Sequence, residues 1–188
     1  MSATPPVVRP KQDIGLPVTD FVLPLISGDG ERSIADFLPG KRAVVVLFWS
    51  GVCSHCLRYD DYLNRFGERH PEVGLVALAS RQGETADQIR VTAAQRKLTF
   101  PLLHDATGAI ARLWYTQQTP RAFLIDPDRS LLYRGAIDNF KYPHDSDYLP
   151  YLEPAIASFL AGEPITRSET PSFGCAIQSV YYILPKPL

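Results

Sequence analysis

Two segments constrain this chain more than any others: Ala43-Val44-Val45-Val46-Leu47-Phe48-Trp49 and Val73-Gly74-Leu75-Val76-Ala77-Leu78-Ala79. Each is a continuous apolar run of strand length. Neither alternates with polar residues, so neither has a face for solvent. Such runs read as strands buried on both sides, inside a parallel or mixed sheet. Between them, Cys56, Tyr59, Leu63 and Phe66 recur at helical spacing. That pattern predicts one helix from Cys53 to Phe66, ending before His70-Pro71.

The rest of the chain extends the alternation. Phe21-Val22-Leu23 reads as a strand, and Ser27-Gly28-Asp29-Gly30 as a hairpin turn. Residues 34–37 read as one helical turn. Residues 84–97 and 107–114 read as helices, and Phe100-Pro101-Leu102-Leu103 as a strand. Ala122–Asp126 and Ser130–Arg134 form a hairpin around Pro127-Asp128. A last helix is expected over 148–161, stopped by Gly162, with Pro150 and Pro154 disturbing its start. The order implies an α/β fold with a central mixed β-sheet flanked by helices. At 188 residues one domain is expected, over 17–162. A Pro-rich arm (1–16) precedes it and an aperiodic tail (163–188) follows.

Composition excludes several classes. A formal net charge of −1 leaves no basic excess for a nucleic-acid partner. No apolar run reaches the roughly 18 residues of a membrane span. The N-terminus lacks the apolar core of a signal peptide, so the expected location is cytoplasmic, or periplasmic if a leader was removed.

Cysteine carries the chemistry. There are three, Cys53, Cys56 and Cys175, too few for a disulfide-stapled secreted fold. Cys53-Ser54-His55-Cys56 lies where a buried strand ends and a helix begins. At a helix N-terminus, unpaired N–H groups and the macrodipole favour a thiolate, the reactive form. Cys56, one turn on, falls on the apolar face. The roles divide accordingly: Cys53 attacks a disulfide and Cys56 resolves the mixed disulfide. His55 can set a positive charge or an N–H donor beside the thiolate, which makes the couple more oxidising. Two alternatives stand beside this. Cys-x-x-Cys can be half of a zinc site, but Cys175, His55, His70, His104 and His144 offer no paired spacing. Two cysteines can also simply be core.

These residues resemble the thioredoxin-like superfamily. Phe48-Trp49-Ser50-Gly51-Val52-Cys53-Ser54-His55-Cys56 is similar to its active-site segment, and Thr119-Pro120-Arg121-Ala122-Phe123 to its cis-proline segment. Asp20-Phe21 through Asp36-Phe37 resembles the N-terminal hairpin of the redoxin branch (TlpA-like and AhpC/TSA-like proteins). Arg134-Gly135-Ala136-Ile137-Asp138 and Gly174-Cys175-Ala176-Ile177 resemble a less characterised redoxin group. The resemblance implies a thioredoxin-like fold, a cis Pro120 packed against the cysteine pair, and Thr119 backbone groups offered to a substrate chain. It also implies thiol-disulfide oxidoreductase activity without bound cofactor or metal. Partners would be a thiol- or disulfide-bearing protein and an upstream redox donor. Two positions depart from the pattern. Val52 replaces a tryptophan, and Leu47 stands where thioredoxins carry a proton-relaying aspartate, leaving Glu68 or water to serve Cys56.

A peroxiredoxin-like peroxidase is the main rival reading. Ser50 can supply its hydroxyl, but Val46 replaces its proline and Pro120 takes its arginine position, with Arg121 adjacent. A non-catalytic binding domain is the third. Trp49 is either substrate surface or core, and Arg121 either a substrate contact or a solvated charge. His104 and Asp105 read as an ordinary loop pair. Cys175 is either a third redox thiol on a tail that folds back, or an inert buried one. Tyr181-Tyr182-Ile183-Leu184 is an apolar segment that can pack on the domain or form a homodimer.

Overall fold

A computed structural model describes residues 13–178 of the chain. Both buried runs are strands as expected: β3 (Ala43–Trp49) and β4 (Val73–Ala79). They follow a short hairpin, β1 (Leu23–Pro24) and β2 (Glu31–Arg32), and a 3-10 turn at Ile34–Phe37. Downstream lie β5 (Leu102–His104), β6 (Gln118–Thr119), β7 (Arg121–Ile125), β8 (Leu131–Gly135) and β9 (Cys175–Ala176). The main sheet has the order β5-β4-β3-β7-β8. β3 pairs parallel with β4 and antiparallel with β7, so the sheet is mixed.

β3 is central, and its alternate residues divide the core. Val45, Leu47 and Trp49 face one layer with Cys53, Cys56, Tyr59, Leu63 and Ile89. Val44, Val46 and Phe48 face the other, with Phe21, Ile34, Trp114 and Phe123. Period-two alternation thus survives within an all-apolar strand, because both faces are covered. Phe48, Trp114 and Phe123 pack edge to face, their centroids 5.1–5.8 Å apart.

The helix expected over Cys53–Phe66 is instead three pieces: α1 (Ser54–Leu57), α2 (Asp60–Asn64) and α3 (Phe66–Arg69). The breaks fall at Tyr59 (φ −100°, ψ 3°) and Arg65 (φ −96°, ψ 5°). No Gly or Pro marks either break. The anchors beside the first are tertiary: Tyr59 donates to Asp138, and Asp60 is clamped by Arg96. α4 (Ala86–Gln95) starts at a capping box formed by Thr85 and Gln88. α5 (Ala109–Leu113) is held by Asp105, whose Oδ2 accepts from the Ile110 and Ala111 N–H groups. α6 (Leu152–Ala161) begins later than expected, which leaves Pro154 in its first turn, where a missing N–H costs no helical bond.

The tail does not trail away. Thr170 N–H donates to Arg134 O, and Arg134 N–H to Ser168 O. Gly135 makes this approach feasible, since a Cβ there would lie 2.0 Å from Thr170 Oγ1. Beyond it, β9 pairs with β6. The apolar Tyr181–Leu184 segment lies outside the described residues. Among the described residues no helix is long and apolar enough to cross a membrane.

Candidate active site

Cys53 is the N-cap residue of α1, directly after the loop that ends β3. That loop is tied down by a carboxylate the sequence reading missed. Glu84, only 7% exposed, accepts from Ser50 Oγ (2.9 Å) and from the Gly51 N–H (2.7 Å). It comes from the turn before α4, and no local pattern flags it. Arg96 reinforces the same loop. It donates to Gly51 O (3.0 Å), lies over the Trp49 ring, and makes a two-pronged pair with Asp60.

Cys53 and Cys56 are both free thiols, 1% and 0% exposed. The protonated Cys53 Sγ donates to Thr119 O at 3.2 Å. The Thr119–Pro120 peptide is cis, as the resemblance implies. The Cys53 thiol is lowered to about 4. A hydrogen bond from Cys56 contributes most, against burial, and the Cys175 thiol, Thr119 and the Cys175 N–H add to it. α1 is one turn long, so these donors replace the long helix expected behind Cys53. Cys56 is pushed upward, first by burial and then by its bond to Cys53 and the Cys53 charge. The two thiols are thus driven apart, one towards thiolate and one towards thiol.

Cys175 belongs to this cluster. β9 sets it opposite Thr119, and its Sγ lies 3.7 Å from His55 Nδ1. Donor atoms of Cys53, His55 and Cys175 all lie within 4.8 Å of one another. Two sulfurs and an imidazole can hold a soft cation, although a closed zinc site takes four ligands. Sequence spacing could not reveal this grouping. His55 is not among the main groups lowering Cys53; it faces Cys175 and packs against Phe140, ring centroids 4.7 Å apart. Phe140 is held in turn by Asp138, whose Oδ1 accepts from the Phe140 N–H and Tyr59 OH, both at 2.7 Å. The Arg58 guanidinium sits over the Phe140 ring and donates to the Phe140 and Lys141 carbonyls.

Other expectations need correction. Trp49 is fully buried in the core under Arg96, so its ring offers no substrate surface. Glu68 is exposed at the far end of the helical segment, on α3, and does not serve Cys56. Arg121 is half-buried over the Phe123 ring, not solvated, and burial lowers its pKa, with Arg134 adding to the effect. His104 Nε2 donates to Glu84 O and Asp105 caps α5, so this pair is structural, in keeping with its reading as an ordinary loop pair.

Residues 14–134 match the AhpC/TSA family. The chain belongs to that family. It is 30% identical over 113 residues to the thiol-disulfide oxidoreductase ResA of Geobacillus thermodenitrificans, a match covering 60% of this chain and 63% of that protein. The chain therefore spans less than two thirds of that relative's length. Among solved structures, an uncharacterised conserved protein from Geobacillus kaustophilus superposes with a TM-score of 0.79 at 22% identity, over 90% of this chain and 93% of that one. The thioredoxin domain of a thiol-disulfide oxidoreductase from Bacteroides vulgatus superposes with a TM-score of 0.56 at 17% identity, over 65% and 87%. The fold is thioredoxin-like, on the redoxin branch.

Proposed function

We propose that this protein is a thiol-disulfide oxidoreductase in which Cys53 and Cys56 form the redox couple. The observation that carries the reading is the opposed ionisation of the pair: a Cys53 thiol lowered to about 4 against a buried Cys56 held protonated. The family membership and the name of the ResA relative agree with it.

In the reducing direction the Cys53 thiolate attacks one sulfur of a protein disulfide. A mixed disulfide forms, and the partner's other sulfur leaves as thiolate. Cys56 then attacks Cys53 Sγ, the Cys53–Cys56 bond forms, and the second partner thiolate is released. Burial, the largest cause holding the Cys56 proton, persists through the first step, but the bond to Cys53 and the Cys53 charge both vanish once Cys53 is in the mixed disulfide. As Cys56 attacks, its proton passes to the partner thiolate released in the first step, a route that uses no carboxylate at the Leu47 position. The opposite direction runs the same steps backwards, and the couple's potential against the donor decides which occurs.

A peroxide site is poorly supported. The Ser50 hydroxyl, which would orient the peroxide, is engaged by Glu84. Insulin reduction tests the proposal. Wild type accelerates it, and Cys53→Ser loses the acceleration entirely. Equal rates for the two proteins would reduce this chain to a binding domain.

A further inference from the structure

The three sulfurs differ in access. Cys53 is 1% exposed and Cys56 is fully buried, whereas Cys175 is partly exposed. A protein partner approaching this face meets Cys175 first. Its position is set by main-chain pairing. Cys53 Sγ lies 3.2 Å from Thr119 O, and Thr119 pairs antiparallel with Cys175. Any residue opposite Thr119 is delivered to Cys53, and here that residue carries a thiol.

The delivery is built into the chain on both sides of Cys175. A Cβ at Gly174 would lie 1.8 Å from Thr119 O, so only glycine lets the strand approach this closely. After it, the Ile177 N–H donates to Gln117 O, and Ile177 O accepts from the Gln82 N–H, both at 2.9 Å. Ile177 itself is buried in the core. Arg81 donates to Ala176 O. With the backbone fixed on both sides, a change in side-chain torsions can close the Cys53–Cys175 gap.

We propose that Cys175 is a relay thiol. It forms a disulfide with Cys53 and carries redox equivalents between the covered Cys53–Cys56 pair and dithiol proteins outside. The proposal rests on the reading of Cys53–Cys56 as a redox couple. In the oxidised protein Cys175 gives its proton to His55 and attacks Cys53 Sγ. The Cys53–Cys175 bond forms and the Cys53–Cys56 bond breaks. Cys56 leaves with the electron pair and takes up a proton, so no electrons enter or leave the protein. A thiolate of the dithiol partner then attacks Cys175 Sγ, and Cys53 departs as thiolate. Of the three sulfurs Cys53 is the best leaving group, because a low thiol pKa speeds departure. The partner's second thiolate attacks its own sulfur in the mixed disulfide and releases Cys175. The partner leaves as a disulfide and the protein is reduced by the same electron pair.

Disulfide mapping tests this on the full chain. Wild type, Cys56→Ser, Cys175→Ser and the double variant Cys56→Ser/Gly174→Ala are equilibrated in glutathione buffers, acid-quenched, alkylated and mapped by peptide mass spectrometry. Cys56→Ser is expected to form an intramolecular Cys53–Cys175 disulfide. Adding Gly174→Ala lowers that species by about tenfold at the same buffer ratio. Oxidised Cys175→Ser is expected to oxidise reduced ribonuclease A about tenfold more slowly than wild type. A Cys56→Ser protein that carries only glutathione on Cys53, with Cys175 alkylated as a free thiol, would overturn the relay. The Cys53–Cys56 bond of Cys175→Ser separates the two readings. Its presence leaves the couple standing without the relay, and its absence removes the couple as well.

Discussion

The ionisation of Cys53 has a measurable sign. Its folded value, about 4, lies below the ordinary thiol value of 9.0. The reduced protein should show thiolate absorbance in the ultraviolet at neutral pH, lost as pH falls through about 4 and missing from Cys53→Ser. Appearance of that absorbance only near pH 9 would contradict the donor arrangement around Cys53. The same shift bears on stability. A depressed folded pKa stabilises the folded state fully above the unfolded value and loses its effect as pH falls towards the folded one. The urea midpoint of reduced wild type should therefore exceed that of Cys53→Ser near pH 9, and the gap should close by about pH 4. Stabilising the thiolate also favours the reduced form. The Cys53–Cys56 midpoint in glutathione buffers should then lie above the roughly −270 mV of thioredoxin. The donors responsible come from Cys56, Thr119 and Cys175, of which only Cys56 is close in sequence. That is why the motif gave the nucleophile while the groups that tune it stayed hidden.

At the level of elements, the short helices α1 and α2 hold their places through partners distant in sequence. Arg96 of the turn after α4 grips Asp60 of α2 through two bonds of 2.5–2.6 Å, with both side chains about 85% buried. Asp60→Ala strands that guanidinium and loosens the Gly51 loop it also holds. A loss of about 2–4 kcal/mol is expected in urea unfolding, and a change within about 0.5 kcal/mol would show the pair to be superficial. Element existence was legible where a pattern was long and local: β3, β4, the β7–β8 hairpin and α4 all fall within a few residues of expectation. The division of the segment after Cys53 was not, because apolar spacing continues across both breaks. The anchors beside the first, Asp138 and Arg96, lie far down the chain. Glu84 was hidden for the same reason. A lone carboxylate in a turn looks like solvent-facing charge until the fold sets it under Ser50.

Across the whole molecule, the sheet is the rigid frame and β3 its keystone. Truncating a side chain that bridges strands, as in Phe123→Ala, should cost about 3–5 kcal/mol in unfolding without altering which cysteines pair. A small loss would mean the Phe48, Trp114 and Phe123 cluster can collapse around the space. Fold class was readable from the order of strands and helices, but the path of the last described residues was not. Gly174-Cys175-Ala176-Ile177 could be quoted as a motif, yet its docking on Thr119 depends on a strand pairing across more than fifty positions. That pairing also imposes a timetable during synthesis. The ribosome makes Cys53 and Cys56 long before Cys175, and β7, which flanks β3, must emerge before the sheet can close. A growing chain therefore displays its two reactive sulfurs without their cover. The stretch that shields them, around Cys175, is made more than a hundred positions after Cys56, so the thiols gain their cover well after they themselves have emerged.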